Sequence, residues 1–189
     1  MIRRLIPVLS ALACSTAPAD AFMDGLGALC GQAFEGRLVQ GDVQDSVFRT
    51  SRLVMHVREC NDSLIRIPFH VGDDRSRTWV VTRTDEGLRL KHDHRHEDGS
   101  EDAVTQYGGD AGPGGTAHRQ EFPADAFTAD LLPAARTNVW TIEVTPGATF
   151  RYALRREGTD RRVEIAFDLT RPVAPPPPPW GATEAPTDH

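Results

Sequence analysis

The sequence lacks an excess of basic residues, a long apolar run and the short motifs that mark several enzyme classes. Its 189 residues include 21 Lys and Arg against 27 Asp and Glu, a net charge of -6. Nucleic acids and anionic membranes are bound through basic patches, so this balance argues against both partners. The chain has no G-x-S-x-G, P-loop or H-E-x-x-H sequence, so none of these motifs indicates an enzyme class.

Cysteine is also scarce, with three residues in the whole chain. Cys14 lies near the N-terminus, which leaves Cys30 and Cys60 as a pair. In an exported protein a single pair most economically forms a disulfide. C-x-x-C redox spacing is missing. We therefore predict a structural Cys30–Cys60 bridge.

The N-terminal segment has the pattern of a secretory signal peptide. The basic pair Arg3 and Arg4 precedes a short apolar run, and two A-x-A cleavage patterns end at residues 19 and 21. We predict a signal peptide over residues 1–21 and a periplasmic or extracellular mature chain that begins at Asp20 or Phe22. The apolar run is too short for a transmembrane helix, which needs about 20 residues.

Cys14 offers an alternative to simple cleavage. Residues 11–14 read Ala-Leu-Ala-Cys and resemble a lipobox, whose cysteine is lipidated in bacterial lipoproteins. Ala11 stands where Leu is usual. Lipidation at Cys14 is the less favoured alternative, because the two cleavage patterns lie further along the chain.

After residue 22 most apolar segments alternate with polar residues, which is the period of a half-buried β-strand. The rows that this alternation places on single faces are Leu53, Met55 and Val57; Ile65, Ile67 and Phe69; Leu88 and Leu90; Trp140, Ile142 and Val144; Phe150, Tyr152 and Leu154; and Val163, Ile165, Phe167 and Leu169. Short turns connect them. We predict eight or nine antiparallel strands in one domain over residues 22–172, with a lipocalin-like up-and-down barrel favoured. A two-sheet β-sandwich and a cupin-like jelly roll are the alternatives.

Four segments do not fit the strand pattern. A short helix is predicted within residues 23–33 and another within residues 122–132. Residues 97–116 are rich in Gly, Asp and Pro, which predicts a long loop with a strand at most over residues 103–107. The proline-rich residues 173–189 are predicted to be a disordered tail outside the fold.

Three alternate histidines, His92, His94 and His96, continue the row of Leu88 and Leu90. Alternate residues of a strand share a face, and neutral imidazole is the commonest metal ligand. Because alternate Cα atoms are about 7 Å apart, only two of the three can reach one ion without a bend. A divalent ion such as zinc or copper would therefore need a further ligand from another segment of the chain. The candidates are His118, His70, Asp73 and Glu101. Simple solvation of the strand end at the barrel rim is the favoured interpretation of the row, the metal site comes second, and acid-base catalysis or recognition of an organic ligand are the further alternatives.

The histidine row also resembles the metal-binding motifs of cupins. Gly87, His92, His94 and Glu97 or Glu101 are similar to the first motif, and the Pro113-x-Gly115-x-x-His118 segment is similar to the second. The resemblance implies a jelly roll with a metal-dependent activity. Phe122 stands where Asn is usual, and about 20 residues separate the two halves, which leaves little room for the strands between them.

A broader resemblance covers much of the chain. The segments GRLV, RIPFHVGDDRSRTWV and GLRLKHDHRHEDGS resemble uncharacterised secreted proteins of Gram-negative bacteria. This resemblance implies export and a single domain, and it implies no activity or site residue.

Trp79 and Trp140 lie on predicted strands, where each would line a ligand cavity or fill the core. An eight-stranded barrel can hold one small ligand. We therefore favour a monomeric binding protein for a small molecule or metal ion. A metal-dependent hydrolase or cupin-type enzyme and a non-catalytic envelope protein are the alternatives.

Overall fold

A computed structural model describes residues 17–182. The strands are β1 (Ala33–Gln40), β2 (Leu53–His56), β3 (Glu59–Cys60), β4 (Leu64–Val71), β5 (Asp74–Thr84), β6 (Gly87–His94), β7 (Tyr107–Asp110), β8 (Arg119–Pro123), β9 (Asn138–Thr145), β10 (Thr149–Arg156) and β11 (Arg162–Val173). The helices are α1 (Pro18–Gly27), α2 (Ser46–Thr50) and α3 (Ala126–Leu131), and 3₁₀ turns cover Val43–Asp45 and Pro133–Ala135.

The strands form one antiparallel sheet that curls into a nearly closed up-and-down barrel, which confirms the favoured fold. Ten strands follow in the order β7-β6-β5-β4-β2-β1-β11-β10-β9-β8, and the short β3 pairs with β4 outside this path. Along this path each strand lies beside the next one in sequence, except that β1 pairs with β11 and that β3 is bypassed between β2 and β4. This order excludes the jelly roll and the two-sheet sandwich.

Glycine lets the two edge strands, β7 and β8, approach each other. Gly108 O accepts a hydrogen bond from Asp125 N at 2.9 Å, and Gly112 N donates to Glu121 O at 2.8 Å. A Cβ atom on Gly109 would lie 1.9 Å from Pro123 O, which no side chain can tolerate. These contacts cover part of both edges, which would otherwise be open to pairing with another chain.

The interior is filled from one end. Helix α1 places Phe22, Met23 and Leu26 in the hydrophobic core, and Asp20 forms an ion pair with Arg83 near the end of β5. Below the middle of the barrel the inward row of each strand is packed with apolar side chains. The opposite end, where β5 begins, is not filled.

The disulfide between Cys30 and Cys60 is formed, as predicted. It joins the segment after α1 to β3, and its Cα atoms are 6.2 Å apart. Helix α1 closes this end of the barrel as a plug, and the bridge fixes the C-terminal end of the plug to the barrel wall.

Several predicted boundaries are wrong. The N-terminal helix begins at Pro18 rather than within residues 23–33, and the predicted strand over residues 103–107 is displaced to β7. Residues 119–123 form β8, and only Ala126–Leu131 of the predicted second helix is helical. Strand β7 was not predicted at its correct position because glycine usually weakens a strand, and β7 contains Gly108 and Gly109. Here the close packing of the backbones requires these two glycines.

The proline-rich segment does not leave the fold at residue 173. Trp180 N donates to Arg75 O at 3.1 Å, and Arg75 Nη1 donates to Pro178 O at 3.1 Å. Residues up to 182 therefore lie against the outer surface, because a polyproline segment still offers carbonyl acceptors and here ends in an aromatic ring. The predicted signal sequence and Cys14 lie almost wholly outside the described residues, as does the tail beyond residue 182.

Candidate functional site

The unfilled end of the barrel holds a cavity of about 370 Å³, which we call the cup. Its wall is built by the inward rows of the strands, and its rim by the β1–β2 connection and the segment after α3. The residues that line the cup are Asp45, Phe48, Phe69, Arg77, Trp79, His92, His94, Val104, Tyr107, Leu132, Ala134, Ala135, Asn138, Trp140, Tyr152, Leu154, Arg156, Arg161, Val163 and Ile165. The lining is mostly apolar and aromatic, as in binding sites for small organic molecules.

The floor of the cup is a layer of aromatic rings that meet across the barrel. Trp79 on β5 stacks on Tyr152 on β10, with ring centroids 4.3 Å apart. His92 on β6 stacks on Tyr107, with centroids 4.4 Å apart and an interplanar angle of 10°. The ring of Trp140 packs against the rings of His92 and Tyr107. This layer separates the cup from the packed core below it.

His92 is a fully engaged member of this floor. Its Nδ1 atom lies 3.0 Å from the carbonyl oxygen of Tyr107, and its Nε2 atom lies 2.7 Å from the Tyr152 hydroxyl. A carbonyl only accepts, so Nδ1 carries the proton and Nε2 accepts from the hydroxyl. Burial lowers the pKa of His92 to about 3 and raises the pKa of Tyr152. The pair is therefore neutral near pH 7.

His94 stands one step closer to the mouth. The Tyr107 hydroxyl lies 3.1 Å from His94 Nε2. Burial, helped by the charge of Arg77, lowers the pKa of His94, and burial raises the pKa of Tyr107 to about 12. The phenol therefore keeps its proton and donates it in a hydrogen bond to neutral His94. Gln106, with a positive φ of 59°, turns the backbone just before Tyr107 and donates its N-H to His92 O at 2.6 Å.

The rim carries the charges of the cup. Arg161 donates to both Asp45 carboxylate oxygens, with an Nη2–Oδ1 distance of 2.7 Å, and it lowers the pKa of Asp45. Arg77 pairs with Asp74. Arg156 donates through Nε to Asn138 Oδ1 at 2.9 Å. Arg156 thus has an amide partner where the other two arginines have carboxylates.

The structure does not bring the predicted metal ligands together. His92 and His94 line the cup, but β6 ends at His94, so His96 is exposed in a turn. Glu101 is exposed and accepts from Arg95 Nη2 at 3.2 Å. Among residues 17–182 no group of three or more His, Cys, Asp or Glu side chains is arranged to hold a metal ion.

The remaining candidate ligands lie further away. His118 O accepts from Val144 N at 2.7 Å near the far end of β9, whereas Asn138, at the start of that strand, lines the cup. Six residues of strand separate the two ends by roughly 20 Å. His70 follows Phe69 on β4 and so faces the outer side of the barrel. The histidines of the two halves of the cupin-like pattern, His92 and His94 in one and His118 in the other, are therefore at opposite ends of the barrel.

Trp79 and Trp140 both lie in the lining of the cup, where the sequence suggested that either could contact a ligand.

Four other residues of the lining were not recognised from the sequence as site residues: Tyr107, Tyr152, Arg77 and Arg156. A signal for two of them was present, because Arg77 precedes Trp79 by two residues and Arg156 follows Leu154 by two. Extending each alternating row by one step would have placed these arginines at the mouth.

No protein-family model, curated protein or solved structure matches the chain. No helix in the part described is both long and apolar enough to cross a membrane. The fold and the site define the class: an antiparallel β-barrel plugged at one end and open as an aromatic cup at the other.

Proposed function

We propose that this protein binds one small, mostly apolar organic molecule in the cup. The observation that carries the proposal is the cavity of about 370 Å³ above the aromatic floor. Ligand sites for small molecules occupy roughly 300–1,000 Å³ and combine apolar walls with a few polar groups. The mouth of a β-barrel is a usual place for such a site. A purely structural barrel has no need for a cavity of this kind.

The rings of the floor favour a flat ligand. Tyr107 and Tyr152 are partly exposed in the cup, and Trp79 and Trp140, each 2% exposed, pack against them and hold them in place. A planar ligand can stack on the two tyrosine rings without ordering them first, so little conformational entropy is lost on binding. Leu154 and its register partner Val163 add aliphatic wall above this layer.

The side chains of the cup favour binding over catalysis. Both ring nitrogens of His92 already have partners, and the carboxylate that lines the cup belongs to Asp45, which is held by Arg161. A hydrolytic mechanism needs a base with a free lone pair within reach of the substrate. The histidines here serve better as hydrogen-bonding groups in a wall.

We also propose that binding occurs outside the cytoplasm. The Cys30–Cys60 disulfide is of the kind that persists in oxidising compartments. The N-terminal residues carry the cleavage patterns of an exported protein. Cleavage at either site would remove the start of α1 and leave the buried Phe22, Met23 and Leu26 in place.

Isothermal titration calorimetry with naphthalene-2-carboxamide as a probe tests the proposal. Leu154→Trp would fill the cup, and Val39→Trp, which adds the same ring to an exposed position on β1, is the matched control. We expect the wild type and Val39→Trp to bind the probe and Leu154→Trp to bind it at least about tenfold more weakly. Equal affinity in Leu154→Trp, or no binding of this probe or its carboxylate analogue to the wild type, would contradict the proposal.

A further inference from the structure

We propose that the natural ligand of the cup carries a carboxylate, and that Arg156 binds it. This inference rests on the proposed binding function. It assigns the ligand to the class of small aromatic or other flat apolar acids. Three observations support it: the position of Arg156, its missing acidic partner and the charge of the lining.

Arg156 is built into the wall of the cup. It is the last residue of β10, in line with Phe150, Tyr152 and Leu154, whose side chains point into the barrel. It pairs in register with Asn138, the first residue of β9. Its Nε atom donates to Asn138 Oδ1 at 2.9 Å, which anchors the guanidinium at the mouth.

The terminal nitrogens of Arg156 are left for another partner. Within the described part of the chain, no carboxylate lies at ion-pairing distance from Arg156. The other two arginines of the lining are neutralised, Arg77 by Asp74 and Arg161 by Asp45 and Asp42. A guanidinium presents a rigid fork of donors that fits a carboxylate. A ligand carboxylate would complete this third pair.

Arg156 gives the mouth of the cup a positive charge that no carboxylate of the described residues pairs with. The chain as a whole has a net charge of -6, the other two arginines of the lining are paired with aspartates, and its two histidines are neutral near pH 7. Such a local positive field, in a wall of low polarity, attracts an anion and disfavours a cation. An amine or metal cation would meet unfavourable charge at the mouth.

The rest of the lining describes the body of the ligand. Below Arg156 the same row presents Leu154 and then Tyr152, which is stacked on Trp79. A molecule with its acid group at the mouth would therefore place its apolar part on aromatic rings. This order, from charged mouth to apolar floor, matches an amphipathic acid entering with its ring first.

A matched pair of probes tests the inference by calorimetry: naphthalene-2-carboxylate and its neutral analogue naphthalene-2-carboxamide. We expect the wild type to bind the carboxylate about tenfold or more tightly than the amide, with a preference that shrinks as salt is added. Arg156→Gln keeps a hydrogen-bonding group near Asn138, and it should lose the preference while retaining affinity for the amide.

Arg37→Gln is the control, because Arg37 is exposed on the outside of β1 and its loss changes net charge equally. It should behave as the wild type. Equal binding of the two probes by the wild type, or an unchanged preference in Arg156→Gln, would overturn the acid inference; loss of both probes in Leu154→Trp would then still uphold the binding function. Failure of both probes to bind the wild type would instead refute the binding function.

Discussion

His92 and Tyr152 meet across the barrel, with His92 Nε2 2.7 Å from the Tyr152 hydroxyl. One residue lies on β6 and the other on β10, on opposite walls. The contact fixes the tautomer of His92, because Nε2 must accept the phenolic proton while Nδ1 donates to Tyr107 O. It also ties the two walls together at the level where the packed core ends and the cup begins.

Removing the hydrogen bond between His92 and Tyr152 from one side should lower the free energy of unfolding. Removing both partners together should lower it by less than the sum of the two single changes. His92→Phe leaves the Tyr152 hydroxyl buried without its acceptor, so we expect it to lower the free energy of unfolding by about 1–3 kcal/mol. His92→Phe combined with Tyr152→Phe removes both partners and should be less destabilising than the sum of the single changes. Urea unfolding measures all three variants.

His118→Ala is the control for these substitutions, because His118 is exposed at the far end of the barrel. Its effect should stay within about 0.5 kcal/mol. Additive single effects at His92 and Tyr152 would show that the hydrogen bond contributes no coupling.

Stability should fall on acidification because of the buried histidines. His92 has a pKa of about 3 in the fold and His70 about 4, since burial disfavours their charged forms. Their usual value of 6.5 applies to the unfolded chain, which therefore binds more protons than the folded protein below pH 6.5. Stability from His70 is lost as the pH falls from 6.5 towards 4, and that from His92 as it falls towards 3.

Urea midpoints between about pH 7 and pH 4 test this window. The pair of substitutions His92→Phe and Tyr152→Phe removes one of these histidines, so its stability should fall less steeply than that of the wild type. The difference approaches about 1.4 kcal/mol per pH unit well below pH 6.5. Parallel curves for the two proteins would show that His92 takes up a proton in the fold.

Removing the C-terminal segment that covers Arg75 should also destabilise the barrel. A chain that ends at Val173 loses Trp180 and the two hydrogen bonds to Arg75. We expect a loss of about 1–3 kcal/mol from the apolar area and hydrogen bonds removed. A chain that ends at Ala182 keeps these contacts and is the control. Equal urea midpoints for the two chains would show that the segment does not stabilise the fold.

The metal prediction can be decided through His92. Both of its ring nitrogens are engaged in hydrogen bonds, and a metal ligand needs a free lone pair. Zinc uptake by protein purified without an affinity tag should therefore be the same for the wild type and His92→Phe, as measured by elemental analysis after dialysis. Loss of one zinc ion per chain in His92→Phe would reinstate His92 as a metal ligand.

Alternation in the sequence was enough to predict most of the barrel wall. The rows of Trp140, Phe150 and Val163 are regular because each strand is buried on one face only, and β9, β10 and β11 appear where this pattern placed them. Strand β7 escaped prediction, because Gly109 is required by the approach of Pro123 O, a contact between segments that local sequence does not report.

The cup was predictable only in part. Trp79 and Trp140 were recognisable as inward aromatic residues, but the stacking of Trp79 on Tyr152 joins opposite walls of the barrel. Contacts of this kind depend on closure and strand order. The role of the histidine row could not be read from alternation for a related reason: alternation places side chains on one face, and it does not show that Tyr107 and Tyr152 occupy the ring nitrogens of His92.

The most direct test of the account uses the three tryptophans as reporters. Trp79 and Trp140 line the cup, and Trp180 lies on the outer surface with residues 178–182. In ¹⁵N-labelled protein, naphthalene-2-carboxylate should shift the indole N-H signals of Trp79 and Trp140 in a saturable manner and leave that of Trp180 in place. A saturable shift of Trp180 alone, or no shift of any of the three signals, would contradict binding in the cup.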